Sequence, residues 1–264
     1  MPDRSPIRLL STDFDGTLIA FGGTGACTRD LAEVLDDHRR SGGLWAVNTG
    51  RSMEHTMEGL ARFGGPCEPD FILTNERDVH RRLESGGWEP HEPWNHRCRE
   101  DHDALHEAAS PIFREIEEWF IRRPTIKVIY EEGRLAGLVA SSDQEMEQAV
   151  GTIRQIASAH PLLSFQRNAI YLRFCHAHYD KGSALGELCR LEGIAVAEVL
   201  AAGDHFNDLP MLRPERAGAL ACPANAIPEV REAVASAGGY VARREYGDGL
   251  ADGIRHFSCF AAVV

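Results

Sequence analysis

The chain has 264 residues, 43% of them hydrophobic, and a formal net charge of -12 at pH 7, enough apolar material for one large packed domain or two modest ones. The acidic balance argues against a protein that grips nucleic acid mainly through cationic contacts to phosphate. No run reaches the ~18 consecutive apolar residues of a membrane-spanning helix, which predicts a globular protein without a membrane partner.

Ile7 to Thr12 reads as a short buried strand that runs straight into Asp13, with Gly16 permitting a tight turn. Thr28 to Arg40 predicts an amphipathic helix, capped by Thr28, with Leu31, Val34 and Leu35 on one face and Gly42-Gly43 closing it. Leu44 to Val47 is the next expected strand. Met53, Met57, Leu60 and Phe63 mark a helix stopped at Gly64-Gly65, and Phe71 to Leu73 a third strand. Strands alternating with helices of this length predict a doubly wound α/β sheet, Rossmann-like, with its strands parallel.

The rhythm changes after Asn75. A stretch with Trp88 and Trp94 leads to a helix expected near 98–121, then strands over 125–131 and 135–140, a helix near 143–159, and strands over 162–166 and 169–174. This predicts an α+β unit over 77–178, inserted into a core formed by 1–76 and 179–264. The core rhythm resumes with a helix from Lys181 to Leu191, a strand over 199–202, a strand over 217–221, a helix near 228–236 and a strand over 240–242.

Asp13 and Asp15, two apart at a strand end, place both carboxylates on one side while the backbone stays extended. One could attack phosphorus as a nucleophile while the other moves protons; an Asx turn with a cap is the competing reading of that spacing. Gly203-Asp204-His205-Phe206-Asn207-Asp208 follows the apolar strand 199–202, so Asp204 falls where open α/β sheets hold their ligands. Asp13, Asp15, Asp204 and Asp208 converging would repel one another, and a hard Mg2+ ion relieves this. Asp208 reads equally well as a cap on the short helix behind it. Thr49, with Gly50 beside it, can offer a hydroxyl and N–H groups to a phosphoryl oxygen. Lys181 stands at a helix start, where its ammonium favours an anion, although a solvated lysine is the plainer reading there.

Cys27, Cys67, Cys98, Cys175, Cys189, Cys222 and Cys259 are scattered and odd in number, which fits reduced thiols in a cytoplasm better than a disulfide framework. The opening Met1-Pro2-Asp3-Arg4-Ser5-Pro6 has neither the basic start nor the apolar run of a secretory leader. Cys175-His176-Ala177-His178 lacks the second cluster a zinc site would need.

Taken in order, Asp13-Phe14-Asp15-Gly16-Thr17-Leu18, Thr49-Gly50-Arg51, Lys181-Gly182 and Gly203-Asp204-His205-Phe206-Asn207-Asp208 resemble the four motifs of the haloacid dehalogenase superfamily of phosphotransferases, over the whole chain. The insert, with Lys181-Gly182-Ser183-Ala184-Leu185 and Ala224-Asn225-Ala226, resembles the Cof-type, sucrose-phosphatase-like branch with its α/β (C2-type) cap. The resemblance implies a Mg2+-dependent phosphatase of small phosphorylated metabolites, with Asp13 as nucleophile and Asp15 as acid and base. It further implies Thr49, Gly50, Lys181 and Asn207 around the phosphate. The magnesium would lie at Asp13, the Asp15 backbone carbonyl, Asp204 and Asp208, the last in support together with Asn207. A phosphomutase and a non-catalytic binding protein of the same fold stay open. Thr74-Asn75-Glu76-Arg77 departs from the Asn-Gly usual in that branch, which leaves the substrate subgroup undecided. Cap residues that could read the leaving group are Arg167 and Arg173, placed on one side by alternation; ordinary solvated arginines are the alternative.

Overall fold

The computed structural model describes residues 6–20, 25–131 and 133–258, and its chain forms two compact units, Met1–Asn95 with Lys181–Val264, and His96–Asp180. The opening segment and Cys259, on which two sequence expectations rest, lie outside the described residues. In the first unit β1 (Leu9–Thr12) is buried along its whole length. It is followed by α1 (Arg29–Arg40), where Thr28 Oγ1 accepts the Leu31 N–H as the capping residue. β2 (Leu44–Asn48), α2 (Met53–Phe63), β3 (Phe71–Thr74), β4 (Asp78–Arg82) and β5 (Trp88–Pro90) come next. After α3 (Glu92–Ala108), the second unit contains α4 (Ser110–Ile121), β6 (Lys127–Glu131), β7 (Arg134–Val139), α5 (Asp143–Ala157), β8 (Leu163–Asn168) and β9 (Tyr171–His176). The first unit resumes with α6 (Lys181–Glu192), β10 (Val199–Ala202), β11 (Ala219–Cys222), α7 (Pro228–Ser236), β12 (Tyr240–Val241) and α8 (Tyr246–Ser258).

The first-unit sheet runs β12-β11-β10-β1-β2-β3-β4-β5, and the six strands from β12 to β3 are parallel. Their side chains alternate between two cores, as a sheet covered on both faces requires. Leu9, Val199 and Ala201 pack with Ala184, Leu188 and Val230 on one face; Leu10, Leu200 and Ala202 pack with Leu31, Leu35 and Ile254 on the other. The doubly wound core is therefore as the alternation of strands and helices predicts.

Three features differ from the sequence reading. Asn75 and Glu76 both take left-handed conformations, with φ of 51° and 62°, and the chain reverses there. β4 and β5 then add to the sheet antiparallel, so the first unit extends to Asn95 and the expected boundary at 77 falls within it. The single helix expected over 98–121 is two, because Pro111 at the start of α4 has no N–H to continue a ladder. The third is α8, in a segment to which the sequence reading assigns no element. A Cβ at Gly253 would stand 2.8 Å from the Ala221 Cβ, so glycine there lets the helix lie against β11.

The second unit has a four-stranded antiparallel sheet in the order β6-β7-β9-β8. Phe113, Ile116 and Phe120 of α4 and Met146 and Ile153 of α5 pack with Leu138 and Leu172 of the sheet. Among the described residues no helix is long and apolar enough to cross a membrane, and the described cysteines are free thiols.

Leu200 is fully buried on the central strand β10. Replacing it by alanine is expected to lower the unfolding free energy by about 2–5 kcal/mol in urea titration; a loss under about 1 kcal/mol would contradict this packing.

Candidate active site at the carboxyl ends of the parallel strands

β1, β2, β3 and β10 run parallel, so the segments that leave them emerge on one edge of the sheet, where open α/β folds gather ligands. Asp13 is the first residue beyond β1, and its N–H donates to Ala202 O at 2.9 Å. Gly16 turns the chain with φ of 91°, and a Cβ there would fall 2.2 Å from Asp204 Oδ2, so the turn lies directly on that carboxylate. Thr17 Oγ1 donates to Asp204 Oδ1 at 2.9 Å. Lys181, at the start of α6 and with no exposed surface, donates to Asp13 Oδ1 at 2.5 Å and to Asp208 Oδ1 at 2.6 Å. Asp208 Oδ2 accepts the N–H groups of Asp204 and His205 at 2.8 and 2.9 Å. Asp208 therefore caps backward, onto the N–H groups of the residues before it, and not, as the capping reading expects, onto a helix behind it; it also anchors Lys181.

Asp13, Asp204 and Asp208 each present an oxygen within 4.8 Å of the others. Burial raises Asp13 well above the ordinary carboxylate range; Lys181 pulls it back, and Asp208 and Asp204 push it up again. Burial and the neighbouring Asp208 push Asp204 up to about 7. Burial works against the Lys181 charge, yet Asp13, Asp208 and Glu76 together hold its pKa above the usual lysine value. Asp13 Oδ2 is buried with no hydrogen-bond partner. An unpaired carboxylate oxygen, with Asp204 close by, suits a hard divalent cation, which favours the charged forms of both. Asp13 and Asp204 fit Mg2+ best, since both oxygens of Asp208 are already engaged.

The structure brings together three carboxylates where sequence spacing predicts four. The Asp15 carboxylate is held by the Arg51 fork instead, with Nε and Nη2 each 2.6 Å from one of its oxygens. Arg51 also donates to His55 O at 3.0 Å and sits 4.9 Å from the Phe14 ring centroid. Arg51 stands in a motif quoted from the sequence, but nothing in the spacing pairs it with Asp15. Thr49 is buried at the same edge, its N–H donating to Leu73 O at 2.8 Å and its Oγ1 accepting the Arg51 N–H at 3.2 Å. Asn207 Nδ2 donates to Glu76 Oε1 at 2.7 Å, and a Cβ on Gly50 would come within 3.2 Å of that same oxygen. Sequence reasoning assigned Glu76 no role. Asn225 bridges the edge, donating to Gly16 O and accepting the Tyr246 N–H, both at 2.8 Å.

In the second unit Arg167 and Arg173 do not share a face. Gln166 stands opposite Arg173 and Arg167 opposite Leu172, so the turn between β8 and β9 reverses the parity that simple alternation predicts. Arg167 lies on the helix-covered face, paired with Glu147 and Asp143 of α5, and Arg173 pairs with Glu131. Both arginines therefore serve ion pairs within that unit. His176 Nδ1 accepts the His178 N–H at 3.3 Å, and the His176 N–H donates to His102 Nε2 at 3.2 Å, a local network among side chains of that unit. Trp94 packs against the first-unit core and donates to Arg77 O at 2.7 Å.

The sequence profile of the haloacid dehalogenase-like hydrolases matches residues 103–254. Among curated proteins, a glucosylglycerol-phosphate synthase of Pseudomonas anguilliseptica is 30% identical over 205 residues, which cover 77% of this chain and 25% of that protein. A phosphoglycolate phosphatase of Methanothermobacter thermautotrophicus is 40% identical over 78 residues, covering 30% of this chain and 33% of that protein. The alignments thus span a quarter to a third of those relatives' lengths. Among solved structures, a sucrose-phosphatase from Synechocystis in complex with sucrose and phosphate superposes with a TM-score of 0.69 at 19% identity, over 96% of this chain and 98% of that one.

The raised carboxylates have a signed consequence. An acid whose folded pKa is raised holds its proton more firmly folded than unfolded, so stability falls as pH rises between the two values. For Asp204 that window runs from about 3.9, the ordinary value, to about 7. In chelator, thermal stability is expected to drop across this window, and Mg2+ is expected to restore more at pH 8 than at pH 5. Asp204→Asn should flatten the drop and abolish the Mg2+ effect; an unchanged Mg2+ response in that variant would contradict the site.

Proposed function

The chain belongs to the haloacid dehalogenase-like hydrolase family, and on that premise we propose that it is a cytoplasmic, Mg2+-dependent phosphatase of small phosphate monoesters that works through a phosphoryl group carried on Asp13. The observation that carries this reading is the buried Lys181, which fixes Asp13 Oδ1 while Asp13 Oδ2 stays without a hydrogen-bond partner.

A carboxylate oxygen of Asp13 attacks phosphorus and the ester oxygen leaves. Asp15, released from the Arg51 fork and protonated from solvent, gives that oxygen its proton; as a carboxylate it then takes a proton from the water that cleaves the acyl phosphate and regenerates Asp13, which leaves it protonated for the next turnover. Lys181 orients Asp13 and offsets charge gathered on the phosphoryl oxygens. Thr49 and the Gly50 backbone border the same edge and fit the phosphate. When bound at Asp13 and Asp204, Mg2+ would supply the charge that lets a dianionic phosphate approach three carboxylates.

Sugar phosphates head the list of substrates because a relative 30% identical is named for glucosylglycerol phosphate. The scattered, odd-numbered cysteines fit a reducing compartment.

Asp13→Asn is expected to leave the circular dichroism spectrum intact and to cut Mg2+-dependent turnover of an aryl phosphate by more than about a thousandfold. Unchanged turnover would remove Asp13 from the reaction. A panel of hexose phosphates, sucrose phosphate and glucosylglycerol phosphate should release free phosphate; an isomeric sugar phosphate with no free phosphate would make the protein a mutase instead.

A further inference from the structure

Glu76 lies outside every motif, and its geometry is costly. Its φ of 62° is left-handed, a region that side-chain-bearing residues seldom occupy. Its carboxylate is also buried, at 6% exposure, which disfavours a charge unless it is paired. Strain and burial together in one residue at a ligand-gathering edge call for a compensating role.

The surroundings supply one. The Glu76 N–H donates to Thr49 O at 3.0 Å and the Asn75 N–H to Arg51 O at 2.9 Å, so the exit from β3 is laced to the exit from β2. From there the side chain reaches the exit from β10, where Oε1 takes the Asn207 Nδ2 proton at 2.7 Å. A carboxylate accepts and does not donate, so the amide nitrogen of Asn207 must face it, which fixes which way round that amide lies. Its carbonyl Oδ1 is then left over, buried and without a partner. Asn207 itself is 2% exposed and adjoins Asp208, the anchor of Lys181.

We infer that Glu76 is a positioning residue: it locks the Asn207 amide so that Asn207 enters the reaction as a hydrogen-bond acceptor, through Oδ1, and not as a donor to phosphate. This rests on the phosphate-ester reading above and replaces the phosphate-contact role that sequence resemblance gives Asn207. The acceptor suits a hydroxyl of the substrate or a water beside the phosphoryl group.

A double-mutant cycle tests it. Glu76→Gly is expected to cost about tenfold or more in kcat/KM for an aryl phosphate with Mg2+, but less than about threefold when Asn207→Ala is already present. Its thermal midpoint should hold level or rise, because glycine takes a positive φ without strain. Glu76→Gln keeps an acceptor for the Asn207 amide and is expected to stay within about threefold of the native protein. Equal losses from Glu76→Gly in both backgrounds, or a loss in Glu76→Gln as large as in Glu76→Gly, would overturn the assignment. The cycle is read a second time as affinity for inorganic phosphate by calorimetry. Coupling there, in a protein that turns over no ester, would sink the phosphatase reading while upholding the link from Glu76 to Asn207; additive effects there would sink the link.

Discussion

The ammonium of Lys181 sits without solvent contact between Asp13 and Asp208, and the rest of the site is arranged around the need to keep it there. A buried ion pair gains little net stability, but removing one member strands the other and costs about 3–5 kcal/mol. The triad therefore enforces position. Through it the exit of β1, the start of α6 and the turn after β10 share one charge, although 168 residues separate Lys181 from Asp13. Asp208 completes the arrangement by accepting two backbone N–H groups with its second oxygen, so its carboxylate has little freedom to leave.

Charge bookkeeping explains the chemistry that the edge supports. One ammonium faces three close carboxylates, and burial with mutual repulsion raises Asp13 and Asp204. Such a cluster could hold a divalent cation. Arg51 withdraws Asp15 from the cluster by pairing with it separately, which leaves Asp13, Asp204 and Asp208 as the carboxylates that converge. Gly16 lets the β1 turn meet Asp204 with no atom between them. Among the described residues the left-handed non-glycine positions are Asn75 and Glu76 at this edge, Ala169 in the turn between β8 and β9, and Tyr246 at the start of α8.

How much of this is legible in the sequence follows from the range of each interaction. Strand β10 and helix α7 appear at their expected positions because apolar runs and Pro228 are local signals. Asp13, Lys181, Asp204 and Asp208 are adjacent in space as the ordered motifs suggest, since strand ends in a parallel sheet share one edge. What escapes the sequence is partner choice. Nothing in the spacing shows that Arg51 takes Asp15, that Thr17 takes Asp204, or that Glu76 reaches Asn207, because each pair closes a long loop. The parity of Arg167 and Arg173 was lost for a similar reason: alternation holds along one strand, and a turn lies between them. The antiparallel β4 and β5 were hidden because the reversal depends on left-handed φ values at Asn75 and Glu76, residues that carry no strong turn signal together.

The proposed reaction requires Asp13 to carry the phosphoryl group, and chemical trapping reads this most directly. The native protein is mixed with a phosphate ester and Mg2+, quenched in acid within its first turnovers, reduced with borohydride and mapped by peptide mass spectrometry. The expected result is reduction of the Asp13 side chain in the peptide that contains Asp13-Phe14-Asp15. Rapid turnover with no modified aspartate, or with the modification on Asp15 or Asp204, would contradict it.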